Sequence, residues 1–187
     1  MGEVLTEWHT GRPDRTGLTS LDVAREAASA LAAATVRAGD RVGLHDLGVD
    51  GHDVPAGAGD RHLERVLDAI ANVRPRGVAA GRRRPAPVPG GALVYLLSTF
   101  LDDRTIETAL RWRAGGHRVV AVDVLPPART DNAGTALRLA HRVLLLEHDD
   151  RLAGLRARGV DVLRWSADDA AAQLRVLSRG NAPGRQR

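Results

Sequence analysis

The chain has 187 residues and no cysteine, and its 27 basic residues, all of them arginine, stand against 23 acidic ones. This length suits one domain, with or without short tails. The absence of cysteine excludes a disulfide framework, a thiol nucleophile, an iron–sulfur cluster and a cysteine-based zinc site. The use of arginine alone, with few aromatic residues, indicates the coding bias of a GC-rich genome rather than a function.

The excess of positive charge is concentrated in two segments. Residues 74–90 contain five arginines and no acid, and residues 179–187 contain three arginines and no acid. Without these segments the chain carries a net charge of −4, which disfavours a basic face that follows phosphates over the whole molecule. We therefore predict one domain over residues 1–178, interrupted by a flexible loop at 74–90, and a disordered tail at 179–187.

The sequence gives little evidence for a membrane or a nucleic acid as a partner. No segment approaches the roughly 20 apolar residues of a membrane-spanning helix, and the first ten residues lack a signal-peptide pattern, so the expected localisation is the cytoplasm. The run Arg82-Arg83-Arg84 is a candidate partner-binding segment. Weak nucleic-acid binding through this run is an alternative, although no aromatic residue interleaves with it to stack on bases.

In the first half of the chain we predict a helix at 19–38 and a strand at 41–47. An irregular or hairpin stretch at 48–59 and an amphipathic helix at 60–73 follow. Thr19-Ser20-Leu21-Asp22 is a capping box that opens the first helix, which is rich in alanine. Asp60 is the expected cap of the second helix. Apolar residues at spacings of three and four define the inner face of both helices.

In the second half we predict a strand at 92–98, a helix at 102–114 and a strand at 118–124. A helical region at 132–157 and a strand at 160–165 follow. The helical region is expected to break near His148 to Asp150, and a last helix opens at Ser166. Val4-Leu5 is a candidate for a stunted first strand. Buried strands that alternate with helices predict an α/β fold with a doubly wound, mostly parallel sheet and helices on both faces.

Ligands of such a sheet bind beyond the carboxyl ends of its strands. This edge is expected to collect polar residues from three strands, namely Asp46, Asp50, Ser98, Thr99 and Asp123. The run from Ser98 to Asp103 has two interpretations, since its hydroxyls and carboxylates either hold a divalent cation or cap the helix that follows. Capping is the preferred interpretation because it is the commoner use of these residues.

Two other segments are weaker candidates for a site. The run from His45 to Asp53 contains two histidines and three aspartates, which suit a metal, but Asp50-Gly51 is also a typical hairpin turn. Gly57-Ala58-Gly59 precedes a helix and suggests phosphate binding. It lacks a full glycine-rich motif, and Asp60 would repel an anion, so we do not expect a phosphate site there.

Several motifs carry a family resemblance, in order along the chain: Thr19-Ser20-Leu21-Asp22, Gly39-Asp40-Arg41-Val42-Gly43-Leu44, His62-Leu63, Val66-Leu67-Asp68, Leu97-Ser98-Thr99-Phe100-Leu101-Asp102 and Gly116-His117-Arg118-Val119-Val120. They resemble the C-terminal von Willebrand factor type A-like module of the bacterial family called domain of unknown function 58. The resemblance covers about residues 19 to 178. It implies the doubly wound fold, a metal-ion-dependent adhesion site at the sheet edge, and a role beside MoxR-type AAA+ ATPases.

The sequence departs from the metal site that this resemblance implies. The family motif Asp-x-Ser-x-Ser is replaced by a segment that offers only Glu7 and Thr10, and the later strand end offers Ser98, Thr99 and Asp102. A hard cation prefers several carboxylate oxygens, so we expect a degenerate site that binds Mg²⁺ weakly or not at all, and no other cofactor.

The resemblance and the missing catalytic motifs together indicate a non-enzymatic protein-interaction module. We expect an accessory factor for a MoxR-type AAA+ ATPase in the assembly or maturation of other proteins. A metal-binding or hydrolytic α/β domain that uses the sheet edge is the alternative.

Overall fold

The computed structural model describes residues 18–48, 51–74, 88–128 and 133–166. The elements of this part of the chain are α1 (Ser20–Arg37), β1 (Val42–His45), β2 (Asp53–Gly57), α2 (Asp60–Asn72), β3 (Leu93–Ser98), α3 (Asp103–Ala114), β4 (Arg118–Asp123), α4 (Thr135–Ala157) and β5 (Asp161–Arg164). The predictions for Val4-Leu5, for most of the loop at 74–90, and for the last helix and tail fall outside the described residues.

The described strands form two separate sheets. β3, β4 and β5 form a parallel sheet with β4 in the centre, whereas β1 and β2 form an antiparallel hairpin. Within the described residues β1 pairs with β2 alone, so the prediction that the strand at 41–47 joins the parallel sheet stays a prediction, and the hairpin alternative for 48–59 is confirmed. The reason is local, because Gly43 lets the two strands approach: a Cβ atom there would lie only 3.1 Å from the backbone oxygen of Val54.

β4 is buried on both faces, as its continuous apolar sequence predicts. Val120 and Val122 pack against α1 on one face of the sheet. Val119 and Ala121 pack on the other face, in the same cluster as residues from α3 and α4. The described part of the chain is therefore a mixed α/β structure in which helices cover both faces of a three-stranded parallel sheet.

Helix α1 joins the two sheets. Its capping box is confirmed, since Thr19 Oγ1 accepts from the Asp22 backbone nitrogen at 3.2 Å and Asp22 Oδ2 accepts from the Thr19 backbone nitrogen at 3.1 Å. One part of the helix packs on the parallel sheet through Ala27 and Leu31. Another part packs on the hairpin, through Ala32. Small alanine side chains allow this close packing on both sides.

Helix α4 is continuous over 23 residues, so the predicted break near residues 148–150 is wrong. Residues 135–153 contain neither glycine nor proline, and the charged residues lie on the helix surface, where Arg151 Nη1 approaches Glu147 Oε2 at 3.6 Å. The structure also corrects the cap of α2, which is Gly59 rather than Asp60. None of the described helices is long and apolar enough to cross a membrane.

Substitution of Gly57 by alanine is expected to destabilise the hairpin. His62 of α2 is buried and its Nε2 donates to the backbone oxygen of Val42 at 2.7 Å. A Cβ atom at Gly57 would lie 2.6 Å from His62 Nδ1, so Gly57→Ala forces the ring away from this hydrogen bond. We expect the free energy of unfolding, measured by urea denaturation, to fall by about 1–3 kcal/mol.

Gly90→Ala is the matched control for this substitution. A Cβ atom at Gly90 meets no atom within 4 Å, so Gly90→Ala is expected to leave stability unchanged or to raise it slightly through the entropy of the unfolded chain. Equal effects of the two substitutions would contradict the proposed contact between Gly57 and His62.

The pKa of Tyr95 reports on the burial of the sheet face that α1 covers. Burial raises the pKa of its phenol above 10.0, against an opposing effect of Arg118. The chain has one tyrosine and no lysine, so Tyr95 is the one side chain whose ordinary pKa lies near 10. A spectrophotometric titration should give a folded-state pKa above the value measured in denaturant.

The same shift predicts a loss of stability at alkaline pH. The folded state keeps the phenolic proton of Tyr95 to a higher pH than the unfolded chain, so its contribution is complete below about pH 10 and is lost as the pH rises through the folded pKa. Tyr95→Phe is expected to remove this slope in denaturation experiments, and a slope that persists in the variant would contradict the assignment.

Candidate functional site

The carboxyl ends of the three parallel strands lie side by side at one edge of the sheet. Ser98 at the end of β3 is in register with Asp123 at the end of β4, and Asp123 is in register with Arg164 at the end of β5. Two of the predicted edge residues, Ser98 and Asp123, are therefore direct neighbours. This edge is the candidate functional site.

The hydroxyl groups that follow β3 point inward. Ser98 and Thr99 are buried, and Ser98 Oγ accepts from the Phe100 backbone nitrogen at 3.2 Å and donates to Thr105 Oγ1 at 3.4 Å. Phe100 has a φ of 49° and is fully buried. This left-handed backbone is unfavourable for a bulky residue, and the packing of the ring beside α3 and α4 compensates for it.

Asp102 is the cap of helix α3. Its Oδ1 accepts from the Thr105 backbone nitrogen at 2.9 Å and from Thr105 Oγ1 at 3.1 Å. The capping interpretation of Asp102 is confirmed. Ser98, Thr105 and Asp102 thus form one hydrogen-bonded chain that fastens the end of β3 to the start of α3.

Asp123 and His148 form a buried pair. Nε2 of His148, on α4, lies 3.3 Å from Oδ1 of Asp123, and the side chains are only 3% and 5% exposed. The same Oδ1 accepts from the backbone nitrogen of Leu125 at 3.1 Å. Because a buried carboxylate is costly without partners, this contact holds α4 against the end of β4.

Arg164 completes the surroundings of the buried carboxylate. Its Nε lies 3.6 Å from Asp123 Oδ2, and its guanidinium also contacts Asp149 on α4. The Asp149 carboxylate in turn lies 3.8 Å from His148 Nδ1. Two cationic or proton-donating side chains from α4 and β5 therefore face the two oxygens of Asp123.

His148 and Arg164 are the residues of the site that the sequence analysis missed. A signal for His148 was present, because it stands four and seven residues before the buried Leu152 and Leu155 and so shares their face of the helix. A signal for Arg164 was also present, since it ends the predicted strand that follows α4. What the sequence lacked was the register that places both residues beside Asp123.

The remaining predicted site residues do not join this edge in the described part of the chain. Asp46 follows β1, which pairs with β2 in the hairpin, so the described residues do not place Asp46 at the end of a strand of the three-stranded sheet. Asp46 Oδ1 accepts from the Gly48 backbone nitrogen at 2.9 Å, and His45 contacts Asp53 across the hairpin. The other predicted residues lie outside the described residues: Glu7, Thr10, Asp50, Arg82, Arg83 and Arg84.

The polar side chains of the edge bond mainly within the chain. Ser98, Asp102 and Asp123 bond to Thr105, to backbone nitrogens or to a cation of the same chain, whereas the buried Nε2 of His148 lies near Asp123 without a hydrogen bond in the described structure. Within residues 18–48, 51–74, 88–128 and 133–166, no group of three histidine, cysteine or acidic residues is placed to hold a metal ion. The described arrangement fastens the end of β3 to α3 and the end of β4 to α4 and β5.

Asp123→Asn is expected to lower the free energy of unfolding by about 2 kcal/mol, because His148 and Arg164 then face an uncharged amide. Urea denaturation at neutral pH measures this loss. Asp161→Asn is the matched control, because Asp161 lies on β5 in an exposed ion pair with Arg118 at 3.5 Å. Such pairs contribute about 0–1 kcal/mol, so equal losses in the two variants would contradict a structural role for the buried pair.

Comparison with protein families gives one match. The model of the family described as Protein of unknown function DUF58 matches residues 15–134, which include α1, the hairpin, and Ser98 and Asp123 at the sheet edge. No curated protein and no solved structure matches the chain. The match covers well over half of the chain, and on this evidence the chain belongs to the family of unknown function DUF58.

Proposed function

We propose that the chain is a non-enzymatic protein-interaction module that serves as an accessory factor for a MoxR-type AAA+ ATPase in the assembly or maturation of other proteins. Membership of the DUF58 family supports this proposal, together with the resemblance of the sequence motifs to the type A-like module of that family. The observation that supports the non-enzymatic part is that the side chains of Ser98, Asp102 and Asp123 at the sheet edge already bond within the chain. A module of this kind acts through its surface shape and charge.

We also propose a von Willebrand type A arrangement for the complete domain. The parallel order of β3, β4 and β5, with helices on both faces, is consistent with it. The antiparallel hairpin joined to the sheet through α1 is consistent with it as well. These features support the fold that the resemblance implies.

The metal site of the type A fold is proposed to be degenerate. The residues of the sheet edge do not fit a divalent cation, because the Asp102 carboxylate caps α3 and the Ser98 hydroxyl bonds to Phe100 and Thr105. A cation would have to displace these bonds before it gained oxygen ligands of its own. The proposed function therefore includes no step that depends on a metal.

Binding to the ATPase tests the proposal directly. Isothermal titration calorimetry of the chain against a MoxR-type ATPase from the same genome, with ATP, with ADP and without nucleotide, is expected to show binding in at least one state. An AAA+ ATPase from another family is the control protein. Absence of binding in all three nucleotide states would refute the proposed partnership.

Thermal denaturation with Mg²⁺, Mn²⁺ and Zn²⁺ tests the proposal for the metal site. A ligand that binds only the folded state raises the melting temperature, so we expect no shift with Mg²⁺ or Mn²⁺. Ser98→Ala is the variant to compare. A shift with Mg²⁺ that disappears in Ser98→Ala would contradict the degenerate site and would favour the metal-binding alternative.

A further inference from the structure

The first half of α4 extends beyond the parallel sheet. The helix has 23 residues, about 34 Å at 1.5 Å per residue, whereas β4 has six residues, about 20 Å. His148 meets Asp123 at the end of β4, and the helix packs on the sheet from that point to its end through Leu152 and Leu155. Residues 135–147, which we term the arm, project past the edge, and none of them is buried.

The arm carries an exposed apolar stripe. Among the described residues, four of the five exposed large apolar side chains belong to it: Leu139, Val143, Leu145 and Leu146. Leu139 and Leu146 are 60% and 65% exposed. Leu139, Val143 and Leu146 are spaced by four and three residues, so they line one side of the helix. A contiguous apolar stripe of this kind marks an interaction surface.

The charges around the stripe are separated along the helix. Arg138, His141 and Arg142 precede the centre of the stripe, whereas Glu147, Asp149 and Asp150 follow it. The first turn of α4 contains no acidic residue. A helix start without an acidic residue and with Arg138 after the first turn is opposite to the order that the helix dipole favours, so the stability of the helix does not explain its basic start. The acidic residues lie in the middle of the helix, and the last turn carries Arg156.

A second copy of the arm that runs in the opposite direction would cover the apolar stripe and would also match the order of charges along the helix. Antiparallel pairing centred near Val143 sets Leu139 of each copy beside Leu146 of the other. Glu147 and Asp149 already form ion pairs with Arg151 and Arg164 of their own chain. Asp150 of one copy then lies near the first turn of the other copy, where Arg138 and the positive end of the helix dipole meet it. A uniformly charged surface, such as an anionic membrane, would be repelled by the acidic end.

We propose that the chain forms a two-fold symmetric dimer through antiparallel pairing of the arms of α4. A two-fold axis is the commonest symmetry of soluble homo-oligomers, and it requires a surface that is complementary to itself. The arm is complementary to itself in two respects. Leu139 of one copy meets Leu146 of the other, and the basic start of one helix faces the acidic segment of the other. The dimer leaves the polar network of the sheet edge in place and does not depend on the proposed ATPase partner.

Sedimentation velocity over a wide range of protein concentration tests for the dimer. The unsubstituted chain is expected to dimerise, and Leu146→Glu is expected to raise the dissociation constant at least about tenfold. Leu139→Glu is the second variant of the stripe, and both positions are exposed, so the fold should survive, as circular dichroism can verify. Leu18→Glu is the matched control, because Leu18 is 52% exposed but lies outside the arm, and this variant should dimerise normally.

Disulfide cross-linking tests the direction of the pairing, because the chain has no cysteine of its own. In an antiparallel dimer, Val143→Cys lies near the axis and should cross-link with itself. Leu139→Cys should cross-link with Leu146→Cys in a mixture, and neither should cross-link alone, because their Cα atoms are then too far apart. A parallel pair would cross-link at every one of these positions and would refute the proposed geometry.

Three results would overturn the dimer itself. The first is a chain that stays monomeric at all concentrations. The second is a dimer that Leu146→Glu and Leu139→Glu leave unchanged. The third is a monomer that binds anionic lipid vesicles and loses this binding in Leu146→Glu, since the stripe would then serve a membrane surface.

Discussion

The burial of one carboxylate organises the described part of this protein. Asp123 ends a strand that is covered on both faces, so its side chain lies away from bulk water. Such a group needs partners within hydrogen-bond or ion-pair distance, and the chain supplies His148 from α4 and Arg164 from β5. The same requirement therefore places a helix and a neighbouring strand against the end of β4.

A second constraint acts on the opposite face of the sheet. Helix α1 packs on the parallel sheet and on the hairpin, and its alanine-rich surface permits short distances to both. Trp165, which follows β5, is buried in the same cluster, and its Nε1 donates to Glu26 Oε1 of α1 at 3.2 Å. Apolar packing thus covers both faces of the sheet, and the contact of His148 with Asp123 is added on the face that α4 covers.

These constraints separate the edge of the sheet from the arm of α4. At the edge, the side chains of Ser98, Asp102 and Asp123 have partners within the chain, so this region stabilises the fold. Beyond the edge, apolar side chains are left exposed on a helix, so this region offers contact area and little internal stability. The proposed interaction module is consistent with both properties, because its function would depend on surfaces.

Local sequence patterns determined most of the elements. The capping box at Thr19 placed the start of α1, the continuous apolar run of residues 119–122 identified a strand buried on both faces, and the capping role of Asp102 followed from its position before α3. These features depend on neighbouring residues, whose spacing is visible in the sequence. The candidate edge residues Ser98 and Asp123 were also found in this way, because both directly end predicted strands.

Contacts between distant residues were decided only by the tertiary structure. The pairing of β1 with β2 depends on the close approach at Gly43, and an isolated strand pattern carries no information on its partner. The role of His148 depends on a carboxylate 25 positions earlier in the chain. The sequence by itself determined which segments become helices and strands, whereas the packing of β4 decided which polar side chains are enclosed and which apolar side chains of α4 remain in water.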